Sequence, residues 1–299
     1  GSIRVPAHCC GIVGLKPTSN RVPGGGHLPP LAGIFALGAS LGPLARSVED
    51  LALIHYVLTA FDPSEKMFVP SASGPVWRRQ NLHGVRVAWY TNDGTVPVTK
   101  DITRAVESAA SALGEAGLMP EEMRTPGIPP GIERGSALWF SLFAGAATDF
   151  LRTMYDGHEA EAGPVVRGML EGGSERGDSS APEFDAALTE RKSLRASLIE
   201  WMSATPLIVA PIGAVPAFKH ATQKLEIGGT SVGTFRAFGY SQTFNVYGFP
   251  SVCVPAGRDE DGMPIGVQIV GRPFAENAVL NAARIVEESL GGWQPTPET

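Results

Sequence analysis

Apolar positions in this chain recur with two different periods, separated by polar or glycine-rich stretches. Leu51, Ile54, Leu58 and Phe61 fall at helical spacing behind Ser47-Val-Glu-Asp50, a capping box with Ser47 at the N-cap, so a helix is expected over 48–60. Val85, Val87 and Trp89 alternate with Arg86, Ala88 and Tyr90, the period of a half-buried strand. After a loop through Asp93-Gly94, the residues Ala105, Val106, Ala109, Leu113 and Ala116 share one face of a helix over 102–116, closed by Gly117. With Leu118 and Met119 behind it, this makes a βαβ-like unit.

Helical patterns return at 136–154 and 182–203. The polar Gly/Ser stretch 171–180 between them is the best candidate for a flexible loop. Residues 207–210 are a short apolar run between prolines and read as a buried strand. Residues 251–255 and 265–270 read as strands of a hairpin that turns through Arg258-Asp-Glu-Asp-Gly262. A helix over 276–290 ends at Gly291-Gly292. The first thirty residues are Gly/Pro-rich without a helical period, so they read as loop with one short strand at 11–15. Helices interleave with short strands and no segment repeats. The class is α/β.

Composition narrows the partners. The chain has 299 residues, enough for a sizeable core without disulfide or metal staples, and its 36 Gly and 25 Pro sit between apolar runs rather than in tracts. A net charge of −6, with no Lys/Arg block longer than two, argues against nucleic acid or an anionic membrane as the main partner. No apolar run approaches the roughly 18–20 residues that span a bilayer, and the first residues lack the features of a signal peptide. The expectation is a cytoplasmic, soluble protein with no cofactor.

Candidate chemistry thins quickly on inspection. His8, Cys9 and Cys10 are contiguous, a spacing that rarely reaches one metal ion, and Cys10 and Cys253 read as buried small apolar residues. Gly229-Thr-Ser-Val-Gly233 matches a nucleophile elbow in letters, but its surroundings look extended rather than strand-to-helix. Gly24-Gly25-Gly26 lacks the Lys-Ser/Thr of a phosphate loop and reads as a turn. Glu121-Glu122, Glu159/Glu161 and Asp259–Asp261 read as solvated, loop-like carboxylates.

The opening residues are different. Gly1-Ser2-Ile3-Arg4-Val5-Pro6-Ala7-His8, continuing through Gly11-Ile12-Val13-Gly14-Leu15-Lys16-Pro17-Thr18, closely resemble the nucleophile motif of the amidase signature family. Gly42-Pro43-Leu44-Ala45-Arg46-Ser47-Val48-Glu49-Asp50-Leu51 resembles the family's next block. Phe244-Asn245-Val246-Tyr247-Gly248-Phe249-Pro250-Ser251 and Pro264-Ile265-Gly266-Val267-Gln268-Ile269-Val270-Gly271-Arg272-Pro273 resemble its C-terminal blocks. The stretch from Val85 to Gly94, followed by Pro97, is similar to fatty acid amide hydrolase-like members. The resemblance covers essentially the whole chain and is weakest over 125–205.

This resemblance implies a mixed β-sheet flanked by helices on both faces, incomplete at its N-terminus. It implies amide hydrolysis through an acyl-enzyme with a Ser–cis-Ser–Lys triad, in which a desolvated neutral Lys is the base. Ser2 takes the place of the nucleophile, and Gly1 belongs to the oxyanion turn. Arg4 holds the loop from behind, through an acidic partner. Lys16 follows Ser2 and does not match the family's base. The base and bridging serine are therefore expected upstream of Gly1, with 1–299 the C-terminal portion of a single amidase domain that is inactive alone. Gly-Ser is also a common tag remnant, and its agreement with the motif favours a native pair. Trp139, Phe140 and Phe143, on an expected helix, are candidates for an acyl or aromatic pocket as well as for core.

Three readings stay open. The first is an amidohydrolase acting on a small or hydrophobic carboxamide, with a homodimer as the one protein assembly expected. The second is an amidotransferase subunit releasing ammonia for a partner enzyme. The third is a catalytically dead binding module that keeps the fold.

Overall fold

The structure, a computed structural model, describes residues 1–28, 33–60, 79–172 and 180–295. Its strands are β1 (Val13–Lys16), β2 (Leu44–Ala45), β3 (Arg86–Trp89), β4 (Met119–Glu122), β5 (Leu207–Pro211), β6 (Lys224–Ile227), β7 (Thr230–Gly233), β8 (Ser251–Arg258) and β9 (Pro264–Gly271). Seven of them form one mixed sheet in the order β2-β1-β8-β9-β5-β3-β4, and β6-β7 is a separate hairpin. β3 runs parallel to both β4 and β5; every other pairing is antiparallel. The β8–β9 hairpin expected from sequence is present, its turn tied by the Asp259 carboxylate accepting from the N–H groups of Asp261 and Met263.

The helices are α1 (Arg4–Cys10), α2 (Phe35–Gly38), α3 (Val48–Leu58), α4 (Lys100–Glu115), α5 (Pro130–Tyr155), α6 (Pro164–Gly172), α7 (Ala181–Trp201), α8 (Thr234–Ala237), α9 (Gly239–Val246) and α10 (Glu276–Leu290). Ser47 caps α3 as expected, its Oγ accepting from Asp50 N at 3.1 Å. Alternate residues of each central strand face opposite layers. Leu15, Val87, Val209, Val252 and Ile269 pack under α3, α4 and α10, whereas Ala88, Tyr90, Ile208 and Val270 meet α5, α7 and α9. Both sides of the sheet are covered, so β1 and β5 are buried along their whole length and show no polar alternation.

Several expectations are corrected. The opening residues contain a helix, α1, because its inward face is Arg4, Ala7 and His8, two of them polar, which erases any apolar period. Pro6 is tolerated in the first turn, where its missing N–H has no helical acceptor. Helix α5 starts at Pro130, earlier than its apolar pattern. Helix α9 has no counterpart among the expected elements: all eight of its residues are buried, Ser241, Gln242, Thr243 and Asn245 among them. Gly229–Gly233 belongs to the β6–β7 hairpin, so it forms no elbow. Cys10 is exposed at the end of α1, while Cys253 is buried. Glu121 and Glu122 lie on strand β4 rather than in loop. Phe61 and most of the stretch 171–180 lie outside the described residues. Among the described residues no helix is long and apolar enough to cross a membrane.

Candidate active site

Ser2 lies exposed on the turn that feeds α1. That turn is locked to the helix by Val5 N donating to Gly1 O (2.8 Å) and Ala7 N to Ile3 O (3.2 Å). Gly1 sits so close to α9 that a Cβ there would collide with Ser241 Oγ. Gly1, Ser2, Arg4, Lys16, Ser40 and Asn245 line one cleft of about 100 Å³. The elements are brought together by register: β1 pairs Lys16 with Ser251 on β8, and β8 pairs Cys253 with Gln268 on β9.

Arg4 is the buried anchor beneath Ser2. Its Nη1 donates to Ser251 Oγ (3.0 Å) and to Gln268 Oε1, and its Nη2 donates to Ser241 O (2.6 Å) and to Asn245 Oδ1. The expected acidic partner is thereby corrected: every acceptor is neutral. Burial, opposed in part by Cys253 and Tyr90, lowers the Arg4 guanidinium to about 9. Gln268 is the hub, since its Nε2 also donates to Pro211 O (2.6 Å) and Tyr240 O (3.0 Å). His8, one turn further on, is held neutral by burial; its Nε2 donates to Val215 O (3.1 Å) and its Nδ1 accepts from Gly266 N (3.0 Å).

Two further residues share the cleft with Ser2. Lys16 is buried and donates to Pro17 O at 2.8 Å. Burial, reinforced by the Arg4 charge and opposed by Glu276, holds its amine well below the ordinary lysine value. No hydrogen bond joins Lys16 to Ser2 among the described residues. Ser40 Oγ is buried and has no hydrogen-bond partner among the described residues. Sequence reasoning does not reach Ser40, Asn245, Ser251 and Gln268 as parts of this site. Gln268 carries a signal, being the lone polar side chain in an otherwise apolar strand.

The three aromatic candidates are placed beside the cleft rather than in it. Phe143 is buried and its ring presses on Gly38, which lines the cleft and has no room for a Cβ. Trp139 packs on Phe143 at 5.7 Å and on Phe140 at 5.3 Å between ring centroids, and Phe235 closes the group.

A family model described as Amidase matches residues 1–280. The chain belongs to the amidase family. Among its relatives, a glutamyl-tRNA(Gln) amidotransferase subunit of Halothermothrix orenii is 27% identical over 319 residues, covering 97% of this chain and 63% of that protein. A fatty acid amide hydrolase of Medicago truncatula is 26% identical over 310 residues, covering 100% and 49% respectively. Among solved structures, 6-aminohexanoate cyclic dimer hydrolase complexed with substrate superposes with a TM-score of 0.79 at 25% identity, over 97% of this chain and 63% of that one. This amidase chain therefore spans less than two thirds of the length of these relatives. The family's mixed sheet with helices on both faces is the fold observed here.

Proposed function

We propose that this chain carries the nucleophile of an amidohydrolase, with Ser2 attacking the carbonyl carbon of a carboxamide. Ser2 Oγ bonds to that carbon as its proton passes to a base, and the carbonyl oxygen becomes an oxyanion next to the backbone N–H groups of the Gly1 turn. Collapse breaks the C–N bond and the amine leaves with a proton. Water then hydrolyses the acyl ester, releasing the carboxylic acid and restoring the serine. The carrying observation is Ser2 exposed at a cleft, on a turn anchored by four hydrogen bonds from Arg4.

The base lysine and bridging serine are proposed to precede Gly1, making 1–299 the C-terminal portion of one amidase domain. The shares of the relatives covered support this. The substrate proposed is a small or hydrophobic carboxamide, its acyl side towards Trp139, Phe140 and Phe143, a direction supported by the contact of Phe143 with Gly38. A cytoplasmic homodimer completes the reading. Similarity to amidotransferase subunits favours a second reading, in which ammonia released at Ser2 serves a partner enzyme.

A fluorophosphonate probe on the full-length protein tests the first reading. Ser2 is expected to be modified and Ser2→Ala to be inert to the probe and to amides. Absence of modification at Ser2 overturns the reading in favour of a binding module. Ammonia release that needs a partner selects the second reading.

A further inference from the structure

A second cavity, of about 680 Å³, opens between α7, residues 18–20 and the junction of β9 with α10. It shares no lining residue with the Ser2 cleft. Four cations line it, Arg191, Lys192, Arg195 and Arg272, against a single carboxylate, Glu200. In a chain of net charge −6 this concentration of positive charge is local and one-sided. None of the four cations is in an ion pair among the described residues.

Arg191 and Arg195 stand one turn apart on α7 and are half-buried. Each uses its Nε to bond a carbonyl at the end of α9, Val246 O at 2.5 Å and Tyr247 O at 2.9 Å. Arg195 also lies over the Phe249 ring at 5.8 Å. These contacts fix both guanidinium planes. They also use one donor of five on each, so both Nη groups have no acceptor among the described residues. Burial lowers the pKa of both, and the Arg195 charge adds to the effect on Arg191. An anion in the cavity would offset the burial of both charges at once.

We propose that this cavity binds a phosphorylated small molecule, with the phosphoryl group on Arg191 and Arg195 and the organic part in the remaining volume. Fixed guanidinium forks match the paired oxygens of a phosphoryl group, which a lysine ammonium does not. The volume lies in the range of small-molecule sites and exceeds what a free phosphate ion would fill. Lys192 and Arg272, exposed at the rim, raise the local concentration of anions. The site is separate from amide hydrolysis, so its test does not use that activity.

Calorimetric titration of the full chain at constant ionic strength, with inorganic phosphate and with adenosine monophosphate, provides that test. Both are expected to bind against a chloride background, the nucleotide more tightly. Arg191→Ala and Arg195→Ala are expected to weaken binding at least tenfold, roughly the worth of a charge-assisted hydrogen bond. Because those two also tie α7 to α9, the double variant Lys192→Ala/Arg272→Ala, which alters only exposed side chains, gives an independent measure. It should weaken binding several-fold, while Arg86→Ala on β3 leaves it unchanged. Absence of binding by both compounds, or affinity that the rim double variant leaves untouched, overturns the proposal.

Discussion

Arg4 and Gln268, 264 positions apart in the chain, are joined by a buried hydrogen bond that ties the helix behind Ser2 to the centre of the sheet. The amide of Gln268 is fully used. Its Oε1 accepts from Arg4 and from Ser251 Oγ (3.2 Å), while its Nε2 donates to two carbonyls on other segments. A buried network with every member satisfied is rigid, and its failure at one member is costly. The position of Ser2 is therefore set by residues from α1, α9, β8 and β9 together.

Gln268→Leu is expected to destabilise the fold by about 2–4 kcal/mol, because it strips a buried guanidinium of one acceptor and removes the amide donors that reach Pro211 O and Tyr240 O. Urea denaturation measures this. Gln268→Glu keeps the acceptor for Arg4 and supplies a counter-charge, but loses both donors, so its loss should be smaller. Equal stability of Gln268→Leu and the wild type would show that the network does not support the site.

His55 makes stability pH-dependent. It is buried on α3 with neither ring nitrogen hydrogen-bonded among the described residues, and burial, opposed by Glu276 and reinforced by Arg21, lowers it to about 4. Between about pH 4 and the ordinary histidine value near 6.5 the unfolded chain holds a proton that the folded chain excludes. Stability is thus expected to rise with pH across that window by roughly 3 kcal/mol, and to be lost as pH falls through it. His55→Phe should flatten this slope in denaturation midpoints measured from pH 4 to 7.

The parts of this molecule that sequence exposes are those where burial is one-sided. Helix α10 has a clear apolar stripe, Val279, Leu280, Ala283 and Val286, and its observed limits match those expected. The β8–β9 hairpin carries its own turn chemistry at Asp259 and Gly262. Helices α1 and α9 are hidden, because the site needs polar groups inside: Arg4, His8, Ser241 and Asn245 occupy positions where periodicity looks for leucine or valine. The motif around Ser2 identifies the nucleophile candidate, yet it does not reveal that Arg4 has only neutral acceptors. That depends on α9 and β9, more than 230 residues away.

Ser40 tests whether the cleft is shaped for a ligand rather than for stability. Its buried hydroxyl has no partner among the described residues, a state that costs about 1–3 kcal/mol relative to a satisfied one. Ser40→Ala is expected to leave thermal stability equal or slightly raised. In the full-length protein it should at the same time weaken substrate turnover, seen in kcat/KM, if the hydroxyl meets the bound amide. A clear fall in stability would instead mark Ser40 as structural.

The contact between Gly38 and Phe143 makes a paired prediction about the cleft wall. A methyl group at position 38 would enter the Phe143 ring, so Gly38→Ala should cost about 1–3 kcal/mol by overpacking and narrow the space beside Ser2. Phe143→Ala alone opens a cavity and should cost about 3–5 kcal/mol. Because the two groups compete for one volume, their effects cannot add. The double variant should be more stable than the sum of the singles by about 1 kcal/mol or more, on the order expected for residues in contact. Denaturation of all four proteins completes the cycle. Strict additivity would show that Phe143 can swing clear of Gly38, and would remove the physical link between the aromatic group and the Ser2 cleft.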